Sequence, residues 1–147
     1  MDSELNDQYR KMQGDKSFAE KDLLAGVEKA WVKFKELSCN YIYESYSPGM
    51  EGEMERMSCL VELTSARVVE LLYVYTGVRN DGLYTALSLI GGGSEEDKNN
   101  FIEKIKNRYK IQNDGAYFER NCRMVESLHG EDYELCMVRM KFQNYSG

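Results

Sequence analysis

Apolar residues recur along most of this chain at intervals of three and four. Between Ser17 and Tyr43 they fall at Leu23, Leu24, Val27, Ala30, Trp31, Phe34, Leu37 and Tyr41. That spacing draws one stripe along a long amphipathic helix. Ser17 followed by Glu20 reads as a capping box at its start. Ahead of it, LNDQYRKM reads as a short first helix ending near Gly14. A turn cluster, YSPGMEG, follows the long helix. Beyond it Met57, Val61, Thr64, Val68, Leu71 and Tyr75 keep the same period, which predicts a second long helix ending near Gly77. Two helices joined by so short a loop lie antiparallel.

The pattern changes at VRNDGLYTALSLIGGG, residues 78–93. A short apolar helix is predicted between Gly82 and Gly91, then a hinge. Ser94 with Asp97 is an N-cap signal, and Phe101, Ile102, Ile105 and Tyr109 share one helical face. QNDG at 112–115 reads as a turn, AYFERNCRMVESL as a helix, and Gly130 as its break. The final segment, EDYELCMVRMKFQNY, supports two readings. Leu135, Cys136, Val138 and Met140 make a helix face, while Val138, Met140 and Phe142 also alternate as in a strand. Helix is the favoured reading.

The cysteines bear on both fold and compartment. Cys39 and Cys59 stand ten residues either side of Gly49, and Cys122 and Cys136 stand seven either side of His129. Residues equidistant from the turn of a helical hairpin lie opposite each other. Of the three connectivities open to four cysteines, this symmetry selects Cys39–Cys59 and Cys122–Cys136. The competing reading is four reduced, buried cysteines in a cytosolic protein. A zinc site would use close pairs such as CxxC, and none is present. Disulfides persist in oxidising compartments, so a periplasmic or secreted location is expected, with the signal peptide absent from this sequence. The fold class predicted is all-α: antiparallel helical hairpins tied by two disulfides into a compact bundle. Residues 1–77 would form one helical domain, and 78–147 a helical extension packed on it.

Composition changes the picture in two ways. A single proline in 147 residues leaves long helices unbroken. A net charge of −6 argues against nucleic acid and anionic membranes, which attract clustered basic residues. It suits a basic protein partner, although charge of this size also simply aids solubility.

Residues 5–72 resemble the N-terminal domain family of the lysozyme inhibitor LprI. The matching runs are LNDQY at 5–9, AWVKFKELSC at 30–39 and SCLVELTSARVVEL at 58–71. Leu5, Asn6, Tyr9, Trp31, Phe34, Cys39, Cys59, Leu63, Thr64, Arg67 and Leu71 fall where that pattern places them. Lys35 departs from it, since the family usually shows arginine there, and this weakens any bidentate pairing at that position. The resemblance implies an exported, all-α, disulfide-tied domain and attaches lysozyme inhibition to it. It does not extend over 78–147.

Catalytic chemistry finds little support. Gly91-Gly92-Gly93-Ser94 lacks the lysine of a phosphate loop, and Glu95, Glu96 and Asp97 occupy the helix start where an anion would bind. His129 reads as a surface residue at a turn. No cofactor, metal or catalytic residue is assigned. Trp31, Phe34, Thr64 and Arg67 are read as structural, with Arg67 in an ion pair or a helix-end hydrogen bond. Tyr43, Tyr46, Glu51, Glu53 and Glu55 crowd the end of the first hairpin. Tyrosine is enriched at interfaces, so they are the candidate partner-binding residues, against the plain alternative of a solvated loop. The function expected is a non-enzymatic exported protein that inhibits a cell-wall-degrading enzyme, a basic lysozyme or a toxin. The alternative is an envelope structural or adaptor domain without inhibitory activity.

Overall fold

A computed structural model of the chain describes residues 2–46, 49–90, 94–108 and 115–145. Those residues form seven helices and no strand: α1 (Asp2–Gly14), α2 (Lys21–Tyr46), α3 (Met50–Thr76), α4 (Gly82–Ile90), α5 (Glu95–Arg108), α6 (Gly115–His129) and α7 (Tyr133–Tyr145). The all-α expectation holds, and the segment that also alternated like a strand is α7. Pro48 of the expected turn, the Gly91–Gly93 hinge, Tyr109, and residues 112–114 lie outside the described residues.

The α2–α3 hairpin is the frame. α1 packs on α3, and α6 lies along α2. α7 joins α6 to α3, and α4 and α5 pack on α7. The main core takes Leu5 and Met12 from α1, Leu24, Val27, Trp31 and Phe34 from α2, and Leu63, Leu71 and Val74 from α3. Tyr117, Phe118, Met124 and Val125 of α6 complete it with Met140 of α7. Phe34 sits 5.3 Å from the Tyr117 ring and 5.4 Å from the Phe118 ring. A smaller cluster of Leu83, Leu87, Ile105 and Val138 holds α4 and α5 against α7.

Both expected disulfides form. Cys39–Cys59 crosses from α2 to α3 with Cα atoms 5.5 Å apart, and Cys122–Cys136 crosses from α6 to α7 at 5.6 Å. Their loops span 20 and 14 residues, which in the chain-entropy account stabilises the fold by about 3 kcal/mol each. The end of α3 is fixed by Gly77, whose φ of 78° is left-handed. A side chain there would strain the turn that lets its N–H reach Tyr73 O at 2.7 Å.

Three local expectations fail. Ser17 does not cap α2. Its N–H and hydroxyl both donate to Asp15 Oδ1, at 2.8 and 2.6 Å. The helix starts later, at Lys21, where Glu20 O accepts the Leu24 N–H. A nearer carboxylate has outcompeted the capping arrangement. On α2, the stripe predicted from periodicity is too wide. Leu24, Val27, Trp31 and Phe34 are buried, but Leu23, Leu37 and Tyr41 are 45%, 38% and 68% exposed. On α3 the predicted stripe fails only at its start. Thr64 and Leu71 are buried and Val68 and Tyr75 pack on the core, but Met57 and Val61 are 56% and 50% exposed. Cys59, Leu63, Arg67, Glu70 and Val74 also point in. α3 carries apolar residues on two sides, and a period alone does not say which side faces the core. The cystine and two buried charges decide it. The Ser94 cap does form, with its hydroxyl accepting the Asp97 N–H at 3.1 Å.

Candidate functional site

The polar interior of the bundle was not read from the sequence beyond Arg67. Arg67 is wholly buried. Its Nε donates to Glu28 Oε1 at 2.6 Å, and its Nη1 donates to Asn121 Oδ1 at 2.9 Å. The Asn121 amide then donates to Glu70 Oε1 at 2.8 Å. Glu70 takes a fork from Arg139, with Nη1–Oε2 at 2.6 Å and Nη2–Oε1 at 2.8 Å. Arg139 also forks onto Glu131, at 2.8 and 2.9 Å. Tyr84 of α4 donates to Glu131 Oε2 at 2.8 Å, and Arg79 Nη1 lies 3.6 Å from the same oxygen. One chain of contacts thus runs from α2 through α3, α6 and α7 to α4.

Charge explains why this chain is tolerated inside a protein. The buried charges balance, Arg67 and Arg139 against Glu70 and Glu131, while Glu28 and the half-buried Arg79, which also pairs with Asp81, stand at the two ends. Burial works against the charge on Arg67, but Tyr117 and Glu28 hold its pKa above the ordinary arginine value. Burial also opposes the charge on Glu70, and the Arg139 hydrogen bonds overcome it, leaving the carboxyl below its usual range. Burial pushes the Tyr117 hydroxyl up to about 12. Both oxygens of Glu70 and of Glu131 accept hydrogen bonds. The network ties α2, α3, α4, α6 and α7 together. Its one sequence signal was the pair Arg67 and Glu70, a turn apart within the buried face of α3.

Other candidate groups are also engaged. His129 ends α6, with its Nε2 2.9 Å from Val74 O and its ring stacked on Tyr73 at 5.2 Å. All four cysteines are in disulfides. Among the described residues, no cluster of His, Cys, Asp and Glu could hold a metal ion. No described helix is long and apolar enough to cross a membrane.

The free end of the α2–α3 hairpin has a different character. Tyr46 closes α2 and is 50% exposed. Glu51 and Glu53 lie in the first turn of α3, with Glu55 just beyond, and all three face solvent. Acids at a helix N-terminus complement its dipole. Tyr43 is half-buried and packs on Gly52, where an added Cβ would stand 3.2 Å from Tyr43 O. A glycine lets the helices approach this closely without displacing the Tyr43 backbone. Residues 41–55 hold four glutamates and no lysine or arginine. The next cation, Arg56, turns its Nε to Asn40 Oδ1 at 3.3 Å. Of the four residues read as structural, Trp31, Phe34, Thr64 and Arg67 all lie in the interior. Lys35 places its ammonium 4.7 Å from the Trp31 ring centre, a cation–π contact.

The segment carrying this hairpin has known relatives. Residues 1–71 match the family model described as lysozyme inhibitor LprI. No curated protein and no solved structure matches the chain. The LprI match covers α1, α2 and most of α3, in agreement with the resemblance carried by Trp31, Cys39, Cys59 and Arg67. It includes the Cys39–Cys59 bond and the Glu28–Arg67 pair. It stops short of Asn121, Arg139 and the second disulfide. The LprI family is named for inhibition rather than catalysis, and its named target is a protein.

Proposed function

We propose that this protein is an exported binding protein that captures a basic cell-wall-degrading enzyme of the lysozyme type and blocks it. The match of residues 1–71 to lysozyme inhibitor LprI carries the reading. Three features support it. Two disulfides suit a periplasmic or secreted setting. The free hairpin end is acidic, which would draw in a basic enzyme. The buried carboxylates are committed to arginines, which suits a rigid binding scaffold. On this reading Tyr43, Tyr46, Glu51, Glu53 and Glu55 belong to the contact surface, and residues 1–77 form the inhibitory domain. Residues 78–147 brace it. A toxin that cleaves the wall would be captured by the same physics, making the protein an immunity factor.

The test is a binding and lysis assay. The protein is mixed with basic lysozymes of the c and g types and with wall-cleaving toxins encoded beside its gene. The expected result is a complex with at least one of them, weakened by salt, and a matching loss of wall lysis. Unimpaired lysis and no complex across the panel would overturn the proposal.

A further inference from the structure

α3 presents a second apolar stripe that the fold does not use. Met50, Met54, Met57 and Val61 are 83%, 70%, 56% and 50% exposed. Their spacing of four, three and four puts them within roughly 60° of one another around the helix at about 100° per residue. Gly52, Cys59, Leu63, Arg67 and Val74 occupy the opposite, buried side. Single exposed apolar residues are ordinary, but a continuous row over three turns is a patch that calls for a partner. We propose that this outer stripe is the apolar centre of the docking surface for a basic protein. The inference rests on the reading of the chain as a lysozyme-type inhibitor and adds the residues that make the contact.

The rim identifies the partner's charge. Glu51, Glu55 and Glu62 follow one border of the stripe and Glu53 the other, all exposed. Arg56 faces α2 rather than the stripe. An apolar centre inside an acidic rim fits a surface whose own apolar groups are ringed by lysine and arginine. A second copy of this chain fits less well. A two-fold axis through the middle of the stripe would set Glu51 near Glu62 of the copy and Glu55 near its own counterpart, acid against acid. Methionine also suits the task, because its unbranched side chain adapts to an irregular partner. The Cys39–Cys59 bond lies within the length of the stripe. It holds the helix in place before binding, so little ordering is needed on contact.

The experiment uses the full chain and basic c- and g-type lysozymes as probes. Met50, Met54 and Met57 are changed together to Gln, which keeps length and adds no charge. Association should weaken by roughly tenfold or more, as removal of a central contact cluster does, with the melting temperature unchanged. A control with Val78→Gln and Leu89→Gln, 74% and 79% exposed but remote in sequence, should bind like the parent. A second readout needs no variant. Peroxide converts exposed methionine to sulfoxide, and in the complex Met50, Met54 and Met57 should oxidise more slowly than in the free protein. A parent that binds while the triple variant binds equally well, with no protection of these methionines, overturns the stripe and leaves the inhibitor reading standing. A parent that binds no member of the panel of lysozymes and wall-cleaving toxins removes both. A parent that sediments as a dimer, and a triple variant that does not, assigns the stripe to a second copy and overturns the inference.

Discussion

Arg139 is wholly buried, and its charge is tolerated only while Glu70 and Glu131 stay ionised beside it. Glu70→Gln removes one of those charges and leaves Arg139 partly uncompensated. Breaking a buried pair in this way costs about 3–5 kcal/mol, read as a lower midpoint in chemical denaturation. The same residue sets part of the response to acid. The Glu70 pKa in the fold lies below its ordinary value of 4.5. Its stabilising contribution is therefore complete above that value and is lost as pH falls through the lower, folded one. Asp15 acts in the same direction at the surface, held at about 2 by its hydrogen bonds from Ser17 and Tyr75. Melting temperature should fall on acidification below about pH 4.5, and less steeply in the Glu70→Gln variant. At this scale the sequence disclosed one member of the network, Arg67, and none of its partners. Arg67 stands out as a charge among apolar residues, but Glu28 lies 39 residues away and Asn121 lies 54 away. Only the tertiary fold brings them together.

Helices were the most legible elements, because each repeats its apolar spacing over several turns. The cysteine pairs were legible for a related reason, since a hairpin places residues equidistant from its turn side by side. The orientation of each helix was less so. Met57 and Val61 fit the predicted face of α3 as well as Thr64 and Leu71 do, yet they face solvent, while Leu63 and Val74, outside that stripe, are buried. Tyr41 was drawn into the α2 stripe by spacing alone and faces solvent. The candidate tip residues were picked out by density of Tyr and Glu, whereas Gly52, which sets how the two helices meet, looked like one more turn glycine. Gly52→Val tests that contact. Its branched side chain would press on Tyr43 O, a backbone atom with little room to yield. The hairpin end should splay, with a loss of about 1–3 kcal/mol. Faster amide exchange around Tyr43 and Gly52 would locate the damage there.

At the scale of the molecule, the LprI match ends at Leu71 while the core does not. Phe34 packs on Tyr117 and Phe118, and Arg67 is satisfied only by residues on both sides of that boundary. The whole chain also sets the long-range field. Changing Glu51, Glu53 and Glu55 together to Gln keeps size and polarity while removing three charges from the free end. Against a basic lysozyme, association should slow by roughly tenfold at low ionic strength and little at high salt, where the Debye length shrinks to about 3 Å at 1 M. Stopped-flow mixing at both salts gives the comparison, and the melting temperature should barely move, since exposed charges contribute little to stability. The two disulfides have a further consequence for how the molecule is made. Each cysteine bonds to the next one along the chain, Cys39 to Cys59 and Cys122 to Cys136. A thiol oxidase acting on the chain as it emerges into an oxidising compartment makes native bonds in order of arrival. Nothing has to be reshuffled, so biogenesis calls for an oxidant and no isomerase. Cells without a disulfide isomerase should yield as much native protein as cells with one, whereas cells without the oxidase should yield a reduced, protease-sensitive chain.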